Sequence, residues 1–307
     1  MMKTKNFFLT AAVVLATVLT GTMMTSCSKI DIPVADNDGY PPLPKGKTVK
    51  LDTLSTEYVA VNGDTLTGTL AGSYRISIAD GATVTLSGVI TQPIENAGIP
   101  IAGITCLGNA TIVLEDDSKN EINGQDENFP GIQAGPEGTT LTICSGINGT
   151  GELTATGGDY AAGIGTGRDG SCGDITIEGG KITATGGDFG AGIGSGELGL
   201  CGDITIKGGE ITATGGDLAA GIGTGWKGSC GKITISKPAS GTAMGGVGSP
   251  YDIGAGVGGD CGEVSVEAET IKGSWDGSSP EDAPIGGGTG DSPIGGEGTI
   301  IVHAGAK

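Results

Sequence analysis

The sequence reads ELTATGGDYAAGIGTGRDGSCGDITIEGG over residues 152–180, KITATGGDFGAGIGSGELGLCGDITIKGG over 181–209 and EITATGGDLAAGIGTGWKGSCGKITI over 210–235. The three blocks align without a gap at a period of 29 residues: Asp159, Asp188 and Asp217; Gly163, Gly192 and Gly221; Cys172, Cys201 and Cys230. A fixed period of this kind marks a repeat architecture, in which each unit buries its apolar side chains only by stacking on its neighbours.

Within a block, period-two alternation decides which side chains turn inward. Ile175, Ile204 and Ile233 form one aliphatic column, and Ile177, Ile206 and Ile235 a second. Leu153, Ile182 and Ile211 form a third, and Ile164, Ile193 and Ile222 a fourth. Glycine turns separate three short strands per unit, at residues 181–185, 190–194 and 203–206 in the second block. The expected fold is all-β: a right-handed, single-stranded parallel β-helix of about seven coils counted from Arg75, with three strands per coil. The period is too long for the hexapeptide left-handed form. Degenerate copies of the unit precede the clean repeats, with Gly131-Ile132 standing for Gly163-Ile164 and Leu141-Thr142-Ile143 for Ile175-Thr176-Ile177. Residues 58–70 read as an opening coil. Glycine-rich residues 276–298 read as a looped end, and residues 299–303 as a last strand.

The flanks have other compositions. Residues 1–26 carry Lys3 and Lys5 ahead of an apolar run too short to span a bilayer, which reads as a signal peptide. Residues 24–27, Met-Thr-Ser-Cys, resemble the lipobox of bacterial lipoproteins. That resemblance implies that Cys27 is lipidated with acyl chains such as palmitate, becomes the mature N-terminus and anchors the protein to the outer membrane. The residues after Cys27 only loosely resemble the acidic surface-export signal of such proteins, so the cell surface and the periplasmic leaflet both stay open. Residues 27–50, with Pro33, Pro41, Pro42 and Pro44, read as a linker, and residues 51–307 as the β-helix domain.

Composition narrows the function. The chain has 307 residues, of which 63 are glycine and only 4% aromatic, which suits a one-dimensional core and not an ordinary globular one. Removing the signal peptide takes away two lysines and no acid, moving the formal charge from −19 to −21. Such a surface repels phosphate backbones, so nucleic acid is not an expected partner, and it repels uronic-acid polymers unless a divalent cation intervenes. No CxxC pair supports a zinc site. Cys172, Cys201, Cys230 and Cys261 share one place in the repeat. Stacking sets such residues about 4.8 Å apart, inside the Cα range of a disulfide. Their Cβ vectors are expected to be parallel, which favours a buried thiol ladder; bonded pairs are the alternative.

The outward columns hold the candidate site residues. Glu152, Lys181 and Glu210 alternate in sign, as do Glu178 and Lys207, in keeping with cross-strand pairing. Asp159, Asp188 and Asp217 form a column without compensation, which reads either as turn chemistry or as a carboxylate ladder for Ca²⁺. Asp174 and Asp203 make a shorter ladder, answered by Lys232. Thr154 and Thr156, Thr183 and Thr185, and Thr212 and Thr214 build a hydroxyl array that is either strand propensity or a ligand face. Beside it, Gly163/Gly165, Gly192/Gly194 and Gly221/Gly223 read as a strand face bare of side chains, open to a flat ligand. Arg168, Glu197 and Trp226 occupy equivalent places in a variable turn. Trp226 is the first candidate for stacking on a sugar, with Tyr160 and Phe189 next.

Taken together, the AGIG, CGDITI and double-glycine units, with residues 82–88 (ATVTLSG), 109–114 (NATIVL) and 138–143 (GTTLTI), resemble lipid-anchored or secreted bacterial carbohydrate-binding β-helix proteins, similar to polysaccharide-binding relatives of pectate lyases. The resemblance covers residues 58–301. It implies binding of a polysaccharide or host or cell-surface glycan without catalysis, with Ca²⁺ as a candidate ligand. Two alternatives stay open. One is a surface adhesin or structural stalk. The other is a β-helix lyase or hydrolase, which needs carboxylates beside a proton-accepting base or a carboxylate pair in one cleft.

Overall fold

The computed structural model describes residues 46–70, 74–92 and 101–267, with the backbone of strands Ile271–Gly273, Ile285–Gly286 and Ile300–His303. The signal peptide, Cys27 and the linker up to residue 45 lie outside the described residues, as do most of residues 276–298.

Alternating β-branched and small residues give short strands, and every strand pair described is parallel. The chain winds through three faces. The first is built from Ala110–Leu114, Thr140–Ser145, Asp174–Ile177, Ile204–Ile206, Ile233–Ile235 and Val264–Glu267, and ends on Ile300–His303. The second comprises Lys119–Asn123, Glu152–Thr156, Lys181–Thr185, Glu210–Thr214, Ser240–Met244 and Ile271–Gly273. The long strand Ala82–Thr91 passes through both faces and joins them into one sheet. The third face is a separate nine-stranded sheet from Tyr58–Ala60 to Ile285–Gly286. Its strands from Ile76–Ile78 to Ile253–Gly254 enclose six turns of described coil, close to the seven or so expected from the sequence. The molecule is a right-handed parallel β-helix with three strands per coil.

Register pairs each residue with its counterpart 29 positions on: Ile175 with Ile204, Ile182 with Ile211, Ile193 with Ile222. All four expected aliphatic columns are inside, with their members at 0–1% exposure. At about 25 cal/mol per Å² of apolar surface, each isoleucine buried in this way contributes on the order of 2 kcal/mol. The sequence signal for the interior missed one polar column. Thr166, Ser195 and Thr224 are each fully buried at the same place in successive coils. Their hydroxyls serve the turn backbone: Ser195 accepts from Gly225 N–H at 3.2 Å and Thr224 from Gly256 N–H at 2.8 Å.

Three expectations need correcting. The first strand, Thr48–Lys50, lies within the segment read as linker and pairs with residues 65–67. Its neighbour Lys47 donates its backbone N–H to buried Asp64, which also accepts from the Tyr58 hydroxyl at 2.6 Å. Second, besides the three expected strands the later coils carry a further short one, Leu200–Cys201, Ser229–Cys230 and Asp260–Cys261, along which the cysteine column is buried as expected. Third, the glycine face is not open. A Cβ built on Gly192 would meet Gly221 O at 2.7 Å and Ala184 O and Thr214 N at 2.8 Å. Glycine is required there because the third face closes directly onto the backbone of the second. Gly165, Gly194 and Gly223 are further fixed by positive φ of 140°, 132° and 135°.

Candidate functional site

The exposed chemistry is concentrated where the chain rounds from the second face to the third and out again. Each clean coil has two turns there. The first carries Asp159-Tyr160, Asp188-Phe189 or Asp217-Leu218; the second carries Arg168-Asp169, Glu197-Leu198 or Trp226-Lys227. Backbone bonds lock the second turn of one coil onto the first turn of the coil before it. Glu197 N–H donates to Tyr160 O and Trp226 N–H to Phe189 O, each at 3.0 Å. The second turn reverses sharply, with Asp169, Leu198 and Lys227 at φ of 52°, 54° and 55°.

This docking assembles an aromatic row. The Tyr160 and Phe189 rings lie 5.9 Å apart with planes within 5°, and Phe189 and Trp226 lie 5.7 Å apart at 44°. All three rings are half-buried. Cations close both ends, Arg168 at 4.9 Å from the Tyr160 centroid and Lys227 at 4.4 Å from that of Trp226. Glu197 is buried, at 4% exposure, and one of its carboxylate oxygens lies 3.2 Å from Arg168 Nε. The same guanidinium nitrogen stands 3.6 Å from Asp169. A buried carboxylate is tolerated only with such a partner. Of the residues singled out in the sequence, the structure therefore brings Tyr160, Phe189, Trp226 and Arg168 together. It adds Lys227, and it buries Glu197, which the sequence placed on an outward turn.

Thr183, Thr185, Thr212 and Thr214 are placed elsewhere. They stand in matched register on the second face, partly exposed, with each second threonine three residues ahead of the first turn's aspartate. Asp159, Asp188 and Asp217 are all exposed. Among the described residues no group of three or more His, Cys, Asp or Glu side chains comes together to hold a metal. The column presents single carboxylates at successive coils.

The other carboxylate ladder has a structural task. Asp174 accepts the backbone N–H of Asp203 at 2.9 Å, and Asp203 accepts that of Lys232 at 2.7 Å. Asp80 does the same for Asn109 at 2.8 Å. Lys232 answers this ladder through its backbone; its ammonium goes instead to Glu263 at 2.8 Å. Of the two alternating charge columns, Lys207 pairs with Glu178 as expected at 3.1 Å, whereas in the other Glu152 pairs with Lys119 of the preceding coil at 3.7 Å and not with Lys181. These pairs are solvent-exposed and worth a few tenths of a kcal/mol, about.

A family model described as "Beta helix repeat" matches residues 147–168, 175–197 and 204–226. The three matched segments fall on successive coils and carry the aromatic row, so the sequence comparison and the coil register define the same unit. The chain is a parallel β-helix protein. No curated protein and no solved structure matches it.

Proposed function

We propose that the protein is a non-catalytic component of the cell envelope, anchored through lipidated Cys27, that binds an extended polysaccharide along the lateral edge carrying Tyr160, Phe189 and Trp226. The observation that carries this reading is the continuous aromatic row across three coils, with cations at both ends. Sugars combine apolar C–H patches with hydroxyl groups. Half-buried rings offer the first a surface, while Arg168, Asp169 and Lys227 offer the second charged hydrogen-bonding partners. A ligand that repeats along its length suits a site that repeats along the solenoid axis. The strongly acidic surface favours a neutral glycan over a polyuronate.

Binding without turnover is the reading because the two carboxylates beside the row, Glu197 and Asp169, are both committed to ion pairs with Arg168. The test is a screen of the protein against arrayed polysaccharides, with Trp226→Ala alongside. Saturable binding weakened about 30-fold by the substitution is expected, as for truncation of an aromatic anchor worth about 2 kcal/mol. No binding to any glycan would favour the adhesin or stalk, and shortened polymer after incubation would favour an enzyme.

A further inference from the structure

The column of cysteines at one corner of the coil is not the uniform thiol ladder that the repeat suggests. Cys230 and Cys261 are register partners on adjacent parallel strands, Ser229–Cys230 and Asp260–Cys261. Their Sγ atoms converge to 2.6 Å, well inside ordinary sulfur contact. The neighbouring thiol, Cys201, is also in register with Cys230, but it turns back to Gly173 O at 3.9 Å and to Cys172, just as Cys261 turns back to Gly231 O at 3.8 Å and to Cys230. Of the two rungs that flank Cys230, only the one above it turns its sulfur inward to meet it. Strand neighbours sit about 4.8 Å apart, which falls within the Cα separation that a disulfide spans.

We propose that Cys230 and Cys261 are oxidised to an inter-coil disulfide as the chain folds in the presence of a disulfide oxidant, a small-molecule or protein disulfide. The thiolate of one cysteine attacks the oxidant and releases one of its sulfurs as a thiol. The second cysteine displaces the other sulfur from the mixed disulfide. One S–S bond is made and one broken, and the two hydrogens of the cysteines leave on the two thiols of the reduced oxidant. The folded state disfavours this exchange, because the hydrogen bond to Cys261, together with burial, holds the Cys230 thiol well above its ordinary range. The bond therefore forms while the last coils are still closing. It fastens the coil between the two cysteines, next to the end of the clean repeats. This proposal is independent of what the lateral edge binds.

The full chain, unfolded and reduced, is refolded in mixed reduced and oxidised glutathione. Free thiols are alkylated, and the protein is digested with trypsin without reduction. The expected result is that peptide 228–232 (GSCGK) is covalently joined to peptide 233–272, lighter than their sum by two hydrogens, and that the pair separates on reduction. In Cys261→Ser, peptide 228–232 should be recovered with Cys230 alkylated. Should that variant fail to fold, the wild-type map decides alone. Recovery of both wild-type cysteines in alkylated form, or of 228–232 joined to the Cys201 peptide 182–207, overturns the proposal.

Discussion

Gly192→Ala separates a glycine needed for packing from one kept bare for a ligand. Its added methyl would lie 2.7 Å from Gly221 O and 2.8 Å from both Ala184 O and Thr214 N. These contacts are well below ordinary van der Waals separation, and all three atoms are backbone in neighbouring strands. No side chain can swing aside, so the third face must lift from the second. Overpacking a close-packed interior costs about 1–3 kcal/mol, and the rigidity of the obstacle places this case in the upper half. With a urea slope of about 1–3 kcal/mol/M, the midpoint should fall by about 1 M. Gly179→Ala supplies the control from the preceding repeat. Its Cβ would meet only Ser145 N, at 3.8 Å, and its φ is not positive. It should change stability by no more than about 0.5 kcal/mol. The assay is urea unfolding of both variants followed by far-UV circular dichroism. Equal midpoints for Gly192→Ala and wild type would refute the closed glycine face and return it to the list of ligand surfaces.

Other outcomes follow from named contacts. Ile204→Ala, in the centre of a fully buried column, should cost about 2–5 kcal/mol by urea unfolding. Burial works to raise the Asp64 carboxyl, but the hydrogen bonds from Lys47 N–H, Tyr58 OH and Val61 N–H outweigh it and hold the folded value below the ordinary one. Its stabilising contribution is therefore complete above about pH 4 and is lost as pH falls through the depressed folded value. Asp64→Asn should accordingly be less stable than wild type at pH 7, with the gap narrowing in acid, as read from thermal unfolding at several pH values. Lys207→Ala removes one exposed ion pair at 3.1 Å and should change the unfolding free energy by less than about 0.5 kcal/mol in urea unfolding.

The interior was legible in the sequence because period-two alternation and a 29-residue register act together. Each of Ile175, Ile204 and Ile233 has only one face available and one aliphatic partner in each neighbouring coil. The glycines were misread for a physical reason. Alternation tells in from out along one strand, but not how closely two faces of a coil approach. Gly163 and its equivalents look outward by count and are buried by closure. The aspartates show a related limit. Asp174 and Asp159 look alike as columns, yet one caps the next rung's N–H and the other stands in solvent, a difference set by turn geometry. The aromatic row was half legible. Tyr160, Phe189 and Trp226 stood out singly, but the step by which one coil's second turn docks on the previous coil's first turn is a backbone event with no residue signature.

The chain has two tryptophans, Trp226 and Trp275. Trp275→Phe leaves Trp226 as the sole indole, placed in the row itself, against Phe189 and beneath Lys227. The decisive measurement is the emission of that variant during titration with a glycan that the protein retains in the array. A saturable change in Trp226 emission, with the same midpoint as binding measured by calorimetry, is what ligand seated on the lateral edge predicts. Calorimetric binding with unchanged Trp226 emission would place the glycan elsewhere and contradict the account.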